Sequence, residues 1–331
     1  MTAASSSTVV DEARRWLDAN WDPRRTVRDW WRLAAEAGWL FPSWPVGLGG
    51  RGLNADASRA ISEAFAASGA LGPPFGVGQT HGAPIVGEFG DQEQQRRLMP
   101  PVAYGIEQWC QFFSEPGAGS DLAGVRTTAR RDGDAWIVSG QKVWTSGAMH
   151  SSRGILLART DADAPKHKGL SFFVIDLDQP GVEIRPIKQM NGSGDYFNES
   201  FFDDAVVPDR NLIGGEGAGW RLALATLAFE REMNARVPGL VTASPGPHGG
   251  ALDRPAGDVV AEGEQTVPYF ANRAFVRSDR LIEIARDRGR TDVADIRQSL
   301  ARLHTLDRVV EWNDARAKAQ ALHGNEPGVE A

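Results

Sequence analysis

Chemistry-bearing residues are densest along Phe112-Phe113-Ser114-Glu115-Pro116-Gly117-Ala118-Gly119-Ser120-Asp121. Gly117 and Gly119 let backbone amides approach an anion, and Ser114 and Ser120 add hydroxyl donors. A glycine-rich loop after a strand is, taken alone, more often a plain turn. A second segment, Gly140-Gln141-Lys142-Val143-Trp144-Thr145-Ser146, follows one hairpin later. Its indole can cover one face of a flat ring, and the hydroxyl of Ser146 can bond that ring's polar edge. Further on, Glu230 shares one helical stripe with Ala223 and Leu227 on the apolar side. Its sequence neighbour Arg231 does not share that face.

The two segments, in this order and at this spacing, closely resemble the signature motifs of acyl-CoA dehydrogenases. Lys168-Gly169-Leu170-Ser171-Phe172-Phe173-Val174 and Phe197-Asn198-Glu199-Ser200-Phe201-Phe202-Asp203-Asp204 are similar to later strands of that family's central domain. Val207-Pro208-Asp209 through Gly217-Ala218-Gly219-Trp220 resembles the loop that launches its C-terminal helices. The likeness runs from about Trp16 to the last residue. It implies FAD as cofactor, with the Phe113 and Ser114 backbone, the Ser114 side chain, Trp144 and Ser146 against the flavin. Ser120 is implied to lie toward the cofactor phosphates and the substrate thioester. The family more often has Thr at position 146; the hydroxyl is kept.

Thioester α-protons are weakly acidic, so the implied reaction needs a carboxylate against the α-carbon and hydrogen bonds on the carbonyl oxygen. Ala228-Phe229-Glu230-Arg231 resembles one of the family's two placements of this base, which makes Glu230 the candidate. The expected reaction is α,β-dehydrogenation of an acyl-CoA to a trans-2-enoyl-CoA, with electrons passed to an electron-transfer flavoprotein. Two alternatives stay open. One is an acyl-CoA oxidase; the other is a non-catalytic or half-site partner subunit of a heteromeric dehydrogenase.

The elements that must hold these residues fall in three regions, expected at 1–107, 108–214 and 215–331. The first reads as helices: Val9, Ala13, Trp16 and Leu17 recur at helical spacing, as do Val27, Trp30, Trp31, Ala34 and Ala37. Ser58 to Ala67 forms another, and Asp91 to Leu98 a capped helix that stops before Pro100 and Pro101. The period then changes to strands. Asp132-Gly133-Asp134 turns a hairpin, and short strands follow at Ile155 to Ala158, Leu170 to Ile175, Val182 to Ile187 and Ser200 to Val206. Helix resumes at Trp220 and again over Leu281 to Ala285 and Ile296 to Trp312, with a Gly- and Pro-dense loop from about Pro238 to Thr266 between. A loop that long is functional or mobile. Gly324-Asn325-Glu326-Pro327-Gly328 reads as a helix exit. The fold class expected is α+β: an N-terminal helical domain, a central small β-barrel domain and an incomplete C-terminal helical bundle.

Composition excludes several classes. A net charge of -7 lacks the basic face that nucleic-acid binding needs. The single cysteine, Cys110, cannot form an internal disulfide and reads as packing in a reducing, cytoplasmic setting. No stretch approaches the roughly 20 apolar residues of a membrane helix, and Met1 to Val10 carries neither a secretory nor a transit pattern. The six histidines lack metal-ligand spacing, so structural roles and no metal are expected. Arg286, Arg288 and Arg290 read as a solvated charge run. The resemblance also implies further C-terminal helices after this chain's last residue. A homo- or hetero-oligomer is therefore expected, with apolar seams such as Leu300, Leu303 and Leu306 seeking a partner.

Overall fold

The computed structural model describes residues 6–190, 192, 194, 196–232, 237, 239–247, 251–263 and 278–322. The expected exit at 324–328 lies outside them, as do 238, 248–250 and 264–266 of the long loop. The chain divides into two compact units, residues 1–271 and 272–331.

The first unit opens with helices α1 (Ser6–Asn20), α2 (Val27–Glu36) and α3 (Ala55–Ser68). Thr26 caps α2 by accepting from the Asp29 amide, and Asn54 caps α3 by accepting from the Ala57 amide. Each such cap is worth about 1 kcal/mol. Trp30 and Trp31 are fully buried. Their indole N–H groups donate to Leu71 O at 2.7 Å and Gly72 O at 2.8 Å, so no polar atom is stranded in the core.

A π-helical turn, Gly78–Gly82, runs directly into α4 (Ala83–Phe89). Local composition does not announce a helix here: Gly76, Gly78, Gly82, Pro84 and Gly87 all depress helix propensity. Packing decides instead. A Cβ on Gly82 would sit 2.5 Å from the Trp109 ring, so only glycine lets the turn press against that indole.

Helix α5 (Gln92–Ala103) begins with the expected cap, a capping box between Asp91 and Gln94. It does not stop before the prolines: Pro100 and Pro101 lie inside it. Each proline lacks the N–H that would bond one turn back. Near-complete burial of Leu98, Met99, Val102 and Ala103 outweighs those lost bonds.

The central region is one sheet of β1 (Trp109–Phe112), β2 (Thr128–Asp132), β3 (Ala135–Ser146), β4 (Arg153–Arg159), β5 (Leu170–Asp176), β6 (Val182–Pro186), β7 (Phe197–Pro208) and β8 (Leu212–Ile213). The strand order is β6-β7-β3-β2-β4-β5-β8, with β1 parallel to β4. Although β3 and β5 are not neighbours, Trp136 meets Phe173 at 5.4 Å between ring centroids. The sheet therefore folds over on itself, as a barrel-like domain requires. That inner core holds Phe112, Trp136, Val138, Leu156, Phe173, Ile175, Phe202 and Val207. Alternate residues of the same strands, Ile155, Leu157, Phe172 and Val174, join the helical core on the other face. Two buried faces explain why β4 and β5 read as continuous apolar runs.

Helix α6 (Gly219–Glu232) follows the sheet. The described part of the long loop is packed rather than free. Gly72 N donates to Val241 O, Phe75 N to Ala243 O and Val27 N to Arg254 O, while α7 (Ala256–Ala261) buries Ala256 and Val259. Its apolar residues are too sparse to show a period, which hid this docking from the sequence. The class is α+β, with helices, a central sheet and then helices again.

Among its described residues the second unit holds two helices, α8 (Ser278–Asp287) and α9 (Ala294–Leu322). Ser278 N donates to Asp307. Arg286, Arg288 and Arg290 are exposed. Leu306, Val310 and Trp312 of α9 are 52%, 59% and 68% exposed. No helix among the described residues is long and apolar enough to cross a membrane.

Candidate active site

Beneath the two glycine- and serine-bearing segments lies a buried ion pair. The fully buried Lys142 Nζ donates to Phe113 O (3.0 Å), Leu157 O (2.8 Å) and Glu115 Oε1 (2.9 Å). Three protons meet three acceptors. Glu115 also accepts from the amides of Arg126 (2.6 Å) and Thr127 (2.9 Å). Burial pushes the Lys142 ammonium down to about 8, against the opposing pull of Glu115. Burial pushes Glu115 up, but the Lys142 charge and the two amides outweigh it, so Glu115 lies below the ordinary carboxylate range. This pair ties the end of β1, the middle of β3, β4 and the loop from 115 to 127 into one support. The motifs alone give neither residue this role; it comes from the fold that buries them together.

On β3 the pairing with β7 loses register between Lys142 and Thr145, and Trp144 there has φ +62°. A positive φ is uncommon for a bulky residue. It turns the indole out of the strand's alternation: Trp144 is 59% exposed and meets Phe197 edge-on at 6.1 Å. A large exposed aromatic on a strained backbone does no packing work for the core. Ser114 O accepts from Val143 N (2.9 Å), which locks the two segments side by side.

Phe113, Ser114, Trp144 and Ser146 line one cavity of about 210 Å³, and Glu230 from α6 lines it with them. The phenyl of Phe113 is itself buried against Phe172. Its carbonyl and that of Ser114 are already engaged by Lys142 and Val143. The Ser114 hydroxyl, on the cavity lining, is a group that can bond a ligand. Ser120 stands apart, exposed on the glycine loop and outside the cavity lining. Lys166 Nζ pairs with its neighbour Asp121 at 2.6 Å, and Gly117 and Gly119 have open space where a Cβ would be.

The cavity is also lined by two residues that sequence reasoning missed. Thr80 and His81, on the π-helical turn, line the cavity beside Phe75, Gly76 and Val77. His81 is 4% exposed, and its Nε2 lies 3.7 Å from Glu230 Oε2. No local signal joins residues so far apart in the chain; a histidine amid glycines gave only a structural expectation. Cys110 sits in the inner sheet core, where burial pushes its thiol up, so it is inert packing.

With this geometry established, comparison with known proteins assigns the class. The model of the acyl-CoA dehydrogenase N-terminal domain matches residues 3–106, and that of the acyl-CoA dehydrogenase middle domain matches residues 110–205. Together they take in more than half of the chain, which belongs to the acyl-CoA dehydrogenase family. The chain is 47% identical over 204 residues to acyl-CoA dehydrogenase IpdE1 of Mycobacterium tuberculosis, covering 62% of this chain and 53% of that protein. It is 33% identical over 193 residues to the human mitochondrial short-chain specific acyl-CoA dehydrogenase, covering 56% of this chain and 46% of that protein. The chain thus spans about half the length of these relatives. Among solved structures, the ChsE4-ChsE5 complex from Mycobacterium tuberculosis aligns with TM-score 0.61 and 25% identity, over 97% of this chain and 77% of that one.

Proposed function

We propose that the chain carries out FAD-dependent α,β-dehydrogenation of an acyl-CoA thioester, with Glu230 as the base. The observation that supports this most directly is the single cavity in which Trp144 and Ser146 stand with Glu230. The residues suit a flavin: an exposed indole held out of register and hydroxyls at Ser114 and Ser146. In this reading Trp144 covers one ring face, Ser146 and Ser114 bond the polar edge, and Ser120 reaches toward phosphates and thioester. FAD bound there would accept the β-hydrogen with its electron pair. Glu230 takes the α-proton, so the product gains a carbon–carbon double bond, and the electrons pass on to an electron-transfer flavoprotein. The division at 1–107, 108–214 and 215–331 belongs to the same proposal.

The test compares anaerobic flavin bleaching by an acyl-CoA in the native protein and in Glu230→Gln at equal FAD content. The amide keeps the side chain's shape but accepts no proton as a carboxylate does. The reduction rate should fall by roughly 10²–10⁴-fold. Undiminished bleaching would return Glu230 to an ordinary helix residue.

A second reading, a half-site subunit that needs a different partner chain, draws support from two facts. The similar ChsE4-ChsE5 structure is a two-component complex, and α9 leaves Leu306, Val310 and Trp312 exposed. Flavin absorbance of the purified protein, alone and with a candidate partner, separates the readings. FAD should be retained only in the assembled state; a monomer that binds FAD stoichiometrically at sedimentation equilibrium argues against it.

A further inference from the structure

We infer that residues 241–245 form a specificity element for the acyl group, seating the stretch of cavity wall at Phe75, Gly76 and Val77; this rests on reading the cavity as a site of acyl-CoA dehydrogenation. The two stretches run side by side in the same direction. Gly72 N donates to Val241 O at 2.8 Å, Pro74 pairs with Ala243, and Phe75 N donates to Ala243 O at 3.0 Å. Next along, Gly76 backs onto Pro245: a Cβ on Gly76 would lie 3.3 Å from Pro245 Cγ. Phe75, Gly76 and Val77 line the cavity with Trp144 and Glu230; residues 241–245, all described, do not. Their influence on a ligand passes through the wall they back.

Both layers are fixed. Trp30 and Trp31 hold the start of the wall by donating to Leu71 O and Gly72 O. Ala243 is packed into the helical core, and Pro245 is buried. Just beyond, Gly246 N donates to Gly105 O at 2.7 Å. Gly246 has φ +83°, and a Cβ there would lie 3.0 Å from that of Gln108, so glycine lets the chain close tightly at this point. The spacing at the other end is tight too: a Cβ on Gly72 would lie 2.8 Å from Leu240 Cδ1. A close-packed backing turns size into energy. An acyl group too large for the cavity must displace packed atoms, which costs far more than moving a loose loop. Removing the ring carbons of Pro245 gives the wall room to recede. A methyl on Gly76 does the reverse: it meets Pro245 and Gln79, so the backbone that carries it is driven toward the cavity.

The test reduces FAD-loaded protein anaerobically with a series of straight-chain thioesters from butyryl-CoA to palmitoyl-CoA. The second-order rate constant for the best native substrate is compared with that for the thioester two carbons longer. Pro245→Ala should raise the longer-to-best ratio about tenfold, the low end of what fit in an apolar pocket is worth. Gly76→Ala should lower the ratio, and the double variant should return it toward the native value. A merely structural role for Pro245 slows every thioester alike and leaves the ratio where it was. A ratio that stays put or falls in Pro245→Ala therefore overturns the inference. If Gly76→Ala does not fold, the Pro245→Ala ratio still decides. If no thioester of the series bleaches the native flavin, the dehydrogenase reading falls and takes this inference with it. If the native flavin bleaches and the ratio is unmoved by Pro245→Ala, this inference alone fails.

Discussion

Trp136 and Trp144 lie on one strand, β3, and are put to opposite use. Trp136 is 1% exposed; its indole N–H donates to Asp209 at 2.8 Å and its ring meets Phe173. Trp144 is 59% exposed and sits at φ +62° where the pairing with β7 slips. The residue type is the same, so the backbone makes the difference. In the first half of β3 regular alternation drives side chains into the core; in the second half a bulge re-aims one of them into a cavity. Strain and exposure at one position, with neither at the other, separate presentation from construction.

Substitution should expose that contrast. Trp136→Ala should lose roughly 3–5 kcal/mol in denaturant unfolding, the usual cost of emptying a tryptophan site in a core. An effect as small as that at Trp144 would erase the distinction.

Lys142→Met probes the support under the presenting half and should cost about 3 kcal/mol or more at neutral pH, because it leaves Glu115 charged, buried and unpaired. The pH dependence has a definite sign. Glu115 is held below its ordinary value in the folded state, so its contribution is full above the ordinary carboxylate range and is lost as pH falls through the lowered folded value. Native protein should therefore weaken in acid, while the gap between it and Lys142→Met narrows there. A gap that widens in acid would mean the pair is not what holds the two segments.

Trp144→Ala should act on the ligand instead. Loss of a stacked ring forfeits roughly 0.5–1.5 kcal/mol beyond buried area, a several-fold weaker retention of FAD, with little change in the melting of flavin-free protein. The finest comparison is Trp144→Gly against Trp144→Ala. Glycine carries no penalty at positive φ, so the flavin-free glycine variant should be the more stable by about 1 kcal/mol. Equal stabilities would show that the backbone there relaxes without cost.

How much of this was legible in the sequence follows from how local each signal is. The hairpin at Gly133, the strand runs and the capping residue Asp91 are decided by a few neighbours, and the folded chain keeps them. The segments around Ser114 and Trp144 were legible because their spacing is a family signature. Helix α5 runs through Pro100 and Pro101 because burial, which no local rule sees, overrides propensity. The docking of residues 239–263 depends on scattered backbone bonds to Gly72, Phe75 and Val27. His81 was invisible for the same reason: it reaches the cavity on a turn of unusual pitch and meets there residues far away in the chain.

That pitch carries a consequence for how the chain tolerates length changes. The five-residue turn Gly78–Gly82 holds one residue more than an α-helical path would use. Deleting a single glycine there would restore ordinary winding, and each residue of an α-helix advances by about 100° around the axis. Ile85 and Val86 of α4, fully buried, would keep their seats, while Thr80 and His81 would swing away from the cavity wall. A one-residue deletion would then leave a folded protein whose cavity keeps Trp144 and Glu230 but loses Thr80 and His81 from its lining. Among natural variants, the length of this glycine-rich turn is thus a marker for whether Thr80 and His81 reach the cavity, readable without any structure.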